Sequence, residues 1–129
     1  MKTYKAYTKE SGLVETNDYD DFSRLPLHRE DGPAFIRYDY NGSIEYVEYY
    51  INGKRHRLDG PAYIEYDCNG NVDVASYWIN GKRHRLDGPA YVEYDDNGNV
   101  VNELYWINGI EYTKEQYDKE LLKLKVQSL

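Results

Sequence analysis

Cysteine is nearly absent from this chain of 129 residues. Cys68 stands alone, so no intramolecular disulfide can form and a reducing cytoplasm is the compartment we expect. There is one Met and there are two Phe, and long aliphatic side chains are scarce, which excludes a thick oily core. No apolar run approaches the roughly 20 residues of a membrane span. The polar start MKTYKAYTKE lacks the apolar segment of a signal peptide, so no membrane association is expected. Positive charge is short as well: 16 Lys and Arg against 23 Asp and Glu leave a net charge of -7. That balance argues against a general nucleic-acid binder, and no direct nucleic-acid contact is expected. A charged partner would be basic.

What the chain has instead is repetition and 16 Tyr. The motif His-Arg-x-Asp-Gly-Pro-Ala starts at His28, His56 and His84, and the units 28–55, 56–83 and 84–111 align without a gap. A fixed period means that each unit is a supersecondary element burying its apolar face against its neighbours. The length suits one repeat domain, residues 1–129. Residues 1–27 form a degenerate N-terminal cap in this scheme, with Ala6-Tyr7 standing 28 residues before Ala34-Phe35.

Within a unit the first run, such as Ala62 to Tyr66, alternates with a period of two, and the second, such as Val72 to Ile79, is rich in β-branched and aromatic residues. Asn41-Gly42, Asn69-Gly70 and Asn97-Gly98 separate the runs, and Asn52-Gly53, Asn80-Gly81 and Asn108-Gly109 follow the second ones. Asn-Gly accepts the positive φ of tight hairpin turns, so two turns per unit predict a meander. Asp59-Gly60-Pro61 interrupts pairing, which predicts one long kinked strand over 54–66. Residues 112–129 predict a C-terminal helix with Tyr117, Leu121 and Leu124 on its apolar stripe and Thr113 and Gln116 as a capping box. The fold class expected is mainly β: an antiparallel β-hairpin repeat meander, one elongated twisted sheet, with a C-terminal capping α-helix. Its open first edge gives a route to a homodimer.

The three histidines do not suggest a shared metal. Equivalent residues two strands apart are roughly 10 Å from each other, too far for one ion. Asp67-Cys68-Asn69-Gly70 and its equivalents lack the later ligands of a calcium loop. Three copies of one residue set argue for a structural rule, so no catalytic residue, metal or cofactor is expected. In that structural reading each His ring packs on the aromatic strand and bonds backbone at the bulge. Arg57 with Asp59, and its equivalents, make a local ion pair or an Asp-capped Gly-Pro turn. Two turn classes on opposite rims predict an acidic rim of Asp39, Asp67, Asp73, Asp95 and Asp96. The other rim would gather Arg55, His56 and Arg57 with Arg83, His84 and Arg85, a candidate phosphate-binding set. Tyr50, Trp78 and Trp106 form one aromatic stripe, and Tyr49, Tyr77 and Tyr105 form another on the opposite face. The acids and the Tyr50, Trp78, Trp106 stripe are the candidate protein-binding residues.

His-Arg-x-Asp-Gly-Pro-Ala followed by Tyr/Trp-Ile-Asn-Gly-Lys resembles the MORN-like repeats of many bacteriophage and giant-virus proteins, over residues 28–111. The resemblance implies an antiparallel hairpin array, a viral origin, and a small acidic protein that blocks a host component such as a nucleic-acid-binding immune effector. It supplies no catalytic residues. Ordinary MORN repeats are shorter with a different glycine pattern, so their lipid role is not carried across.

Overall fold

The computed structural model describes residues 3–17 and 25–129. β1 (Thr3–Thr8) and β2 (Gly12–Thr16) precede the repeats. The first unit supplies β3 (Phe35–Tyr38), β4 (Ile44–Glu48), β5 (Tyr50–Ile51) and β6 (Lys54–Arg55). The second supplies β7 (Tyr63–Tyr66), β8 (Val72–Ser76), β9 (Trp78–Ile79) and β10 (Lys82–Arg83). The third supplies β11 (Tyr91–Tyr94), β12 (Val100–Ile107) and β13 (Ile110–Tyr112), and α1 (Lys114–Gln127) follows. Nine strands form one sheet in the order β13-β12-β11-β8-β7-β4-β3-β1-β2, with antiparallel neighbours throughout. The mainly β meander and the C-terminal helix are therefore present as expected. Among the described residues no helix is long and apolar enough to cross a membrane.

The two turn classes differ in construction. Asp39 Oδ1 accepts from Asn41 N–H at 2.8 Å and from Ser43 N–H at 3.0 Å, and Asp67 and Asp95 repeat this on their own turns. Only the glycines of these turns have positive φ, 81° at Gly42, 83° at Gly70 and 81° at Gly98. The strand that follows each of these turns carries one extra residue, as Glu45 does between Ile44, opposite Tyr38, and Tyr46, opposite Arg37. In the second class the asparagine takes positive φ too, 51° at Asn52 and 50° at Asn80 and Asn108. That is the two-residue turn whose twist matches the flanking strands. A β-branched residue resists this conformation, so Asn80→Val is expected to cost about 1–3 kcal/mol in urea unfolding while Asn80→Gly stays near neutral.

The long kinked strand expected over 54–66 is not formed. Strand pairing stops after Arg55, the end of the β5-β6 ladder, and the chain joins the nine-stranded sheet at Tyr63. His56 N–H bonds back to Tyr49 O of the preceding unit at 3.0 Å, and Arg57 N–H bonds Trp78 O of its own unit at 3.1 Å. Pro61 has no N–H to continue a ladder. Only at Ala62, whose N–H bonds Ser76 O at 2.9 Å, does regular pairing resume. The expected single sheet is thus a nine-stranded sheet with two separate ladders, β5-β6 and β9-β10, beside it. No fourth motif follows the third unit, and β12 there runs unbroken from Val100 to Ile107.

The N-terminal hairpin enters in a different alignment from the one expected. β1 lies beside β3, and β2 forms the outer edge. Tyr7 N–H bonds Ala34 O, and Tyr7 O accepts from His28 N–H, as Tyr49 does with Ala62 and His56. Tyr7 therefore matches Tyr49 and not Phe35. The rest of the expected cap, over 18–24, lies outside the described residues.

The core is thin. Ala34, Ala62 and Ala90 are fully buried where the loops rejoin the sheet, and Ile36, Val47, Ala75 and Val92 continue the covered face. The helix carries its expected capping box and buries Tyr117 to 2% exposure, while Leu121 and Leu124 stay partly open.

Candidate functional site

Each position of the motif has a mechanical task. His28, His56 and His84 accept through Nδ1 from the N–H of Asn52, Asn80 and Asn108 at 2.9, 3.0 and 2.9 Å. They tie down the asparagine of the strained turn 24 residues later, where a bond at the bulge had been expected. An accepting Nδ1 carries no proton, so the ring serves this turn in its Nε2–H form. Burial lowers the pKa of His84 from its ordinary 6.5. The unfolded chain then takes the proton first as pH falls, so this stabilisation is complete above that value and fades below it. Urea midpoints at about pH 5 are expected to lie below those at about pH 7.5.

The arginine is the centre of the loop. Arg57 donates from Nε to Asp59 Oδ1 at 3.0 Å and from Nη1 to Pro61 O at 3.1 Å, with its guanidinium 4.0 Å from the Tyr49 ring centroid. Arg29 over Tyr7 and Arg85 over Tyr77 repeat the arrangement at 3.9 Å each. A Cβ on Gly60 would fall 3.0 Å from Arg57 Cζ, and the same holds for Gly32 with Arg29 and Gly88 with Arg85. Glycine is present because the guanidinium lies against its Cα.

The candidate phosphate set is therefore not gathered on one rim. Arg57 and Arg85 are committed to their loops, and His56 and His84 to their turns. Arg55 and Arg83 belong to a different structure, threaded through the aromatic stripe. The Arg55 guanidinium lies 5.8 Å from the Tyr50 ring and 4.9 Å from Trp78, and Arg83 lies 5.1 Å from Trp78 and 5.2 Å from Trp106. The result is a ladder, Tyr50-Arg55-Trp78-Arg83-Trp106, across the array. The sequence held a signal for it: a two-residue turn pairs its flanks, and Tyr50 with Arg55 and Trp78 with Arg83 are such pairs.

The ladder is not uniform. Arg55 donates to Glu48 Oε1 at 3.1 Å, and the Tyr50 hydroxyl donates to Glu48 Oε2 at 2.6 Å. Burial and this carboxylate push the Tyr50 pKa up to about 12. One unit on, Ser76 replaces the glutamate and accepts from Trp78 Nε1 at 2.8 Å. Two units on the position is Leu104, and Trp106 Nε1 is buried without a hydrogen-bond partner among the described residues. Arg83 likewise has no ion pair among them, and burial, then Arg55, pulls its pKa below the ordinary value.

On the far rim Asp39, Asp67 and Asp95 serve as turn acceptors. Backbone N–H groups at Asn99 and Asn97 hold the Asp95 carboxyl below its ordinary pKa, the Asn99 bond weighing most. Asp67, Asp73 and Asp96 bring carboxylate oxygens within 4.8 Å of one another, across two units. A slight loss of hydration, followed by Asp67 and Asp96, raises the Asp73 pKa. The acids thus lie apart from the aromatic stripe with which they were grouped. The second stripe is capped: Tyr49 and Tyr77 lie under Arg57 and Arg85, and Tyr105 packs on Tyr117 at 4.8 Å.

These features define a mainly β antiparallel meander carrying repeated loops and an arginine-aromatic ladder. Comparison with family models, curated proteins and solved structures finds no match to this chain.

Proposed function

We propose that the chain is a non-enzymatic protein-binding repeat module of the MORN-like, phage-associated kind that blocks a host protein in the cytoplasm. The reading is carried by one observation: the His, Arg and Asp of every motif copy are occupied as struts, in the same way each time. What the motif leaves uncommitted is a half-buried ladder of Trp, Tyr and Arg, the residue types that dominate interface energetics, and a cluster of carboxylates for a basic partner. Asp73 and Asp96 hold no turn, so their charge can be removed without unpinning one. Capture from a bacterial lysate is expected to recover a host protein, a nucleic-acid-handling one first among candidates. The double change Asp73→Asn with Asp96→Asn, or Trp106→Ala, is expected to lose it with the circular-dichroism spectrum kept. No recovered protein, or recovery indifferent to these changes, contradicts the reading.

A second reading, a phosphate or nucleotide ligand, is favoured by Arg83 alone, which lacks the carboxylate that Arg55 has. Calorimetry with nucleotides decides it: saturable heat abolished by Arg83→Gln supports it, and a flat titration removes it.

A further inference from the structure

At each motif the cation faces inward and the carboxylate outward. The Arg29, Arg57 and Arg85 side chains are 27%, 24% and 23% exposed, while those of Asp31, Asp59 and Asp87 are 87% exposed. Glu30, in the first loop, is exposed as well. The ion pairs cancel in charge, but an approaching molecule meets carboxylates first. The rim expected to be basic is therefore edged with acids.

Between successive loops lie clefts built from the same positions. The first, about 560 Å³, is lined by Tyr49 and Ile51 between the Asp31 and Asp59 loops. The second, about 380 Å³, is lined by Tyr77 and Ile79 between the Asp59 and Asp87 loops. Leu58 and Leu86 line them too, and Leu58 is 83% exposed, a large apolar side chain that the fold itself leaves in water. Arg29, His56 and Arg57 also line the first cleft and Arg57, His84 and Arg85 the second, with the guanidinium groups paired to the loop carboxylates, so each cleft offers an apolar wall and paired arginines below an exposed carboxylate edge. A lysine or arginine fits both, with its stem on the wall and its charged head at the edge.

The spacing selects the shape of the occupant. Neighbouring clefts are two strands apart, roughly 9.6 Å at about 4.8 Å per strand. A polyproline II chain has three residues per turn and rises about 3.1 Å per residue, so every third side chain returns to one face at about 9.3 Å. An α-helix returns to the same face at three or four residues, about 4.5–6 Å, and again at seven, about 10.5 Å. We propose that the row of clefts between the motif loops binds an extended segment of a basic protein partner, with Lys or Arg at every third position. The inference rests on the protein-binding reading and names the partner's chemistry at a second surface, away from the ladder.

Labelled synthetic peptides test it by fluorescence anisotropy at constant ionic strength. A peptide of Arg-Pro-Pro triplets is expected to bind at least about tenfold more tightly than an isomer with its arginines adjacent. Leu58→Lys with Leu86→Lys, both at exposed positions, is expected to weaken that binding at least about tenfold by placing like charge in the clefts. Asp73→Asn with Asp96→Asn, on the other rim, is expected to leave it unchanged. Equal binding of the two isomers, tighter binding of a helical peptide with arginines seven apart, or indifference to the lysine changes overturns the proposal. A lysate partner whose capture survives the lysine changes also overturns it, while leaving the protein-binding reading standing.

Discussion

Arg57→Ala is expected to destabilise the fold by about 3 kcal/mol, roughly 10 °C in Tm for a domain of this size. Three contributions are lost together. The pair with Asp59 is the smallest, since the carboxylate is 87% exposed and an exposed pair contributes about 0–1 kcal/mol. The charged donor to Pro61 O contributes about 1.5–3 kcal/mol, and the stack on Tyr49 about 0.5–2 kcal/mol. Two controls separate these effects. Asp59→Asn is expected to cost less than about 1 kcal/mol, because the other two contacts remain. Arg57→Lys keeps the charge but loses the planar fork that reaches Asp59 and Pro61 at once, and is expected to fall between. Chemical unfolding of the three variants checks the ranking. If Arg57→Ala costs no more than Asp59→Asn, the loop does not hang on its arginine.

Tyr117→Ala is expected to release the helix from the array. Tyr117 is 2% exposed, and its ring packs on Tyr105 at the place where the next motif's arginine would lie. Lys114, 5.5 Å from the Tyr105 ring centroid, supplies the cation that arginine would have brought. The Tyr117 hydroxyl lies 2.7 Å from Arg85 O and 2.9 Å from Gly88 O, either of which takes its proton, and it accepts from Gly88 N–H at 3.2 Å. Removing the whole side chain is expected to cost about 3–5 kcal/mol, and Tyr117→Phe about 1–3 kcal/mol for the hydroxyl alone. A 14-residue helix with Leu122 and Val126 largely in water has little else to hold it. The helical far-UV signal of Tyr117→Ala is expected to fall while the sheet persists. An unchanged spectrum would mean that other contacts seat the helix.

Much of this fold was legible because its period is carried by turn residues. Asn52-Gly53 and its equivalents need positive φ, and only a few residue types supply it, so composition and conformation coincide there. The loop at Asp59-Gly60-Pro61 was placed correctly but taken for a kink. Across residues 56–62 the ladder gives way to Arg57 N–H bonding Trp78 O, 21 residues on in the same unit, a contact that spacing does not show. The same holds for His56 and Asn80, which lie 24 residues apart and meet only once the hairpins stack. At the N-terminus the 28-residue period misled, because Tyr7 satisfies it against Phe35 while the backbone bonds match it to Tyr49. The candidate surfaces were chosen by residue type, which does not show how folding groups the residues. Charge sign placed Arg55 and Arg83 with His56 and His84, whereas turn geometry stacks them between Tyr50, Trp78 and Trp106.

If the motif is a strut and not a reactive site, its histidines show it most directly. Each Asn N–H to His Nδ1 hydrogen bond carries a nitrogen–nitrogen coupling measurable by NMR in the labelled protein. Such couplings are expected from Asn52, Asn80 and Asn108 to His28, His56 and His84 at neutral pH, with all three rings in the Nε2–H form. Absence of these couplings, or rings protonated at Nδ1, would contradict the strut role and return the three histidines to candidacy as reactive groups.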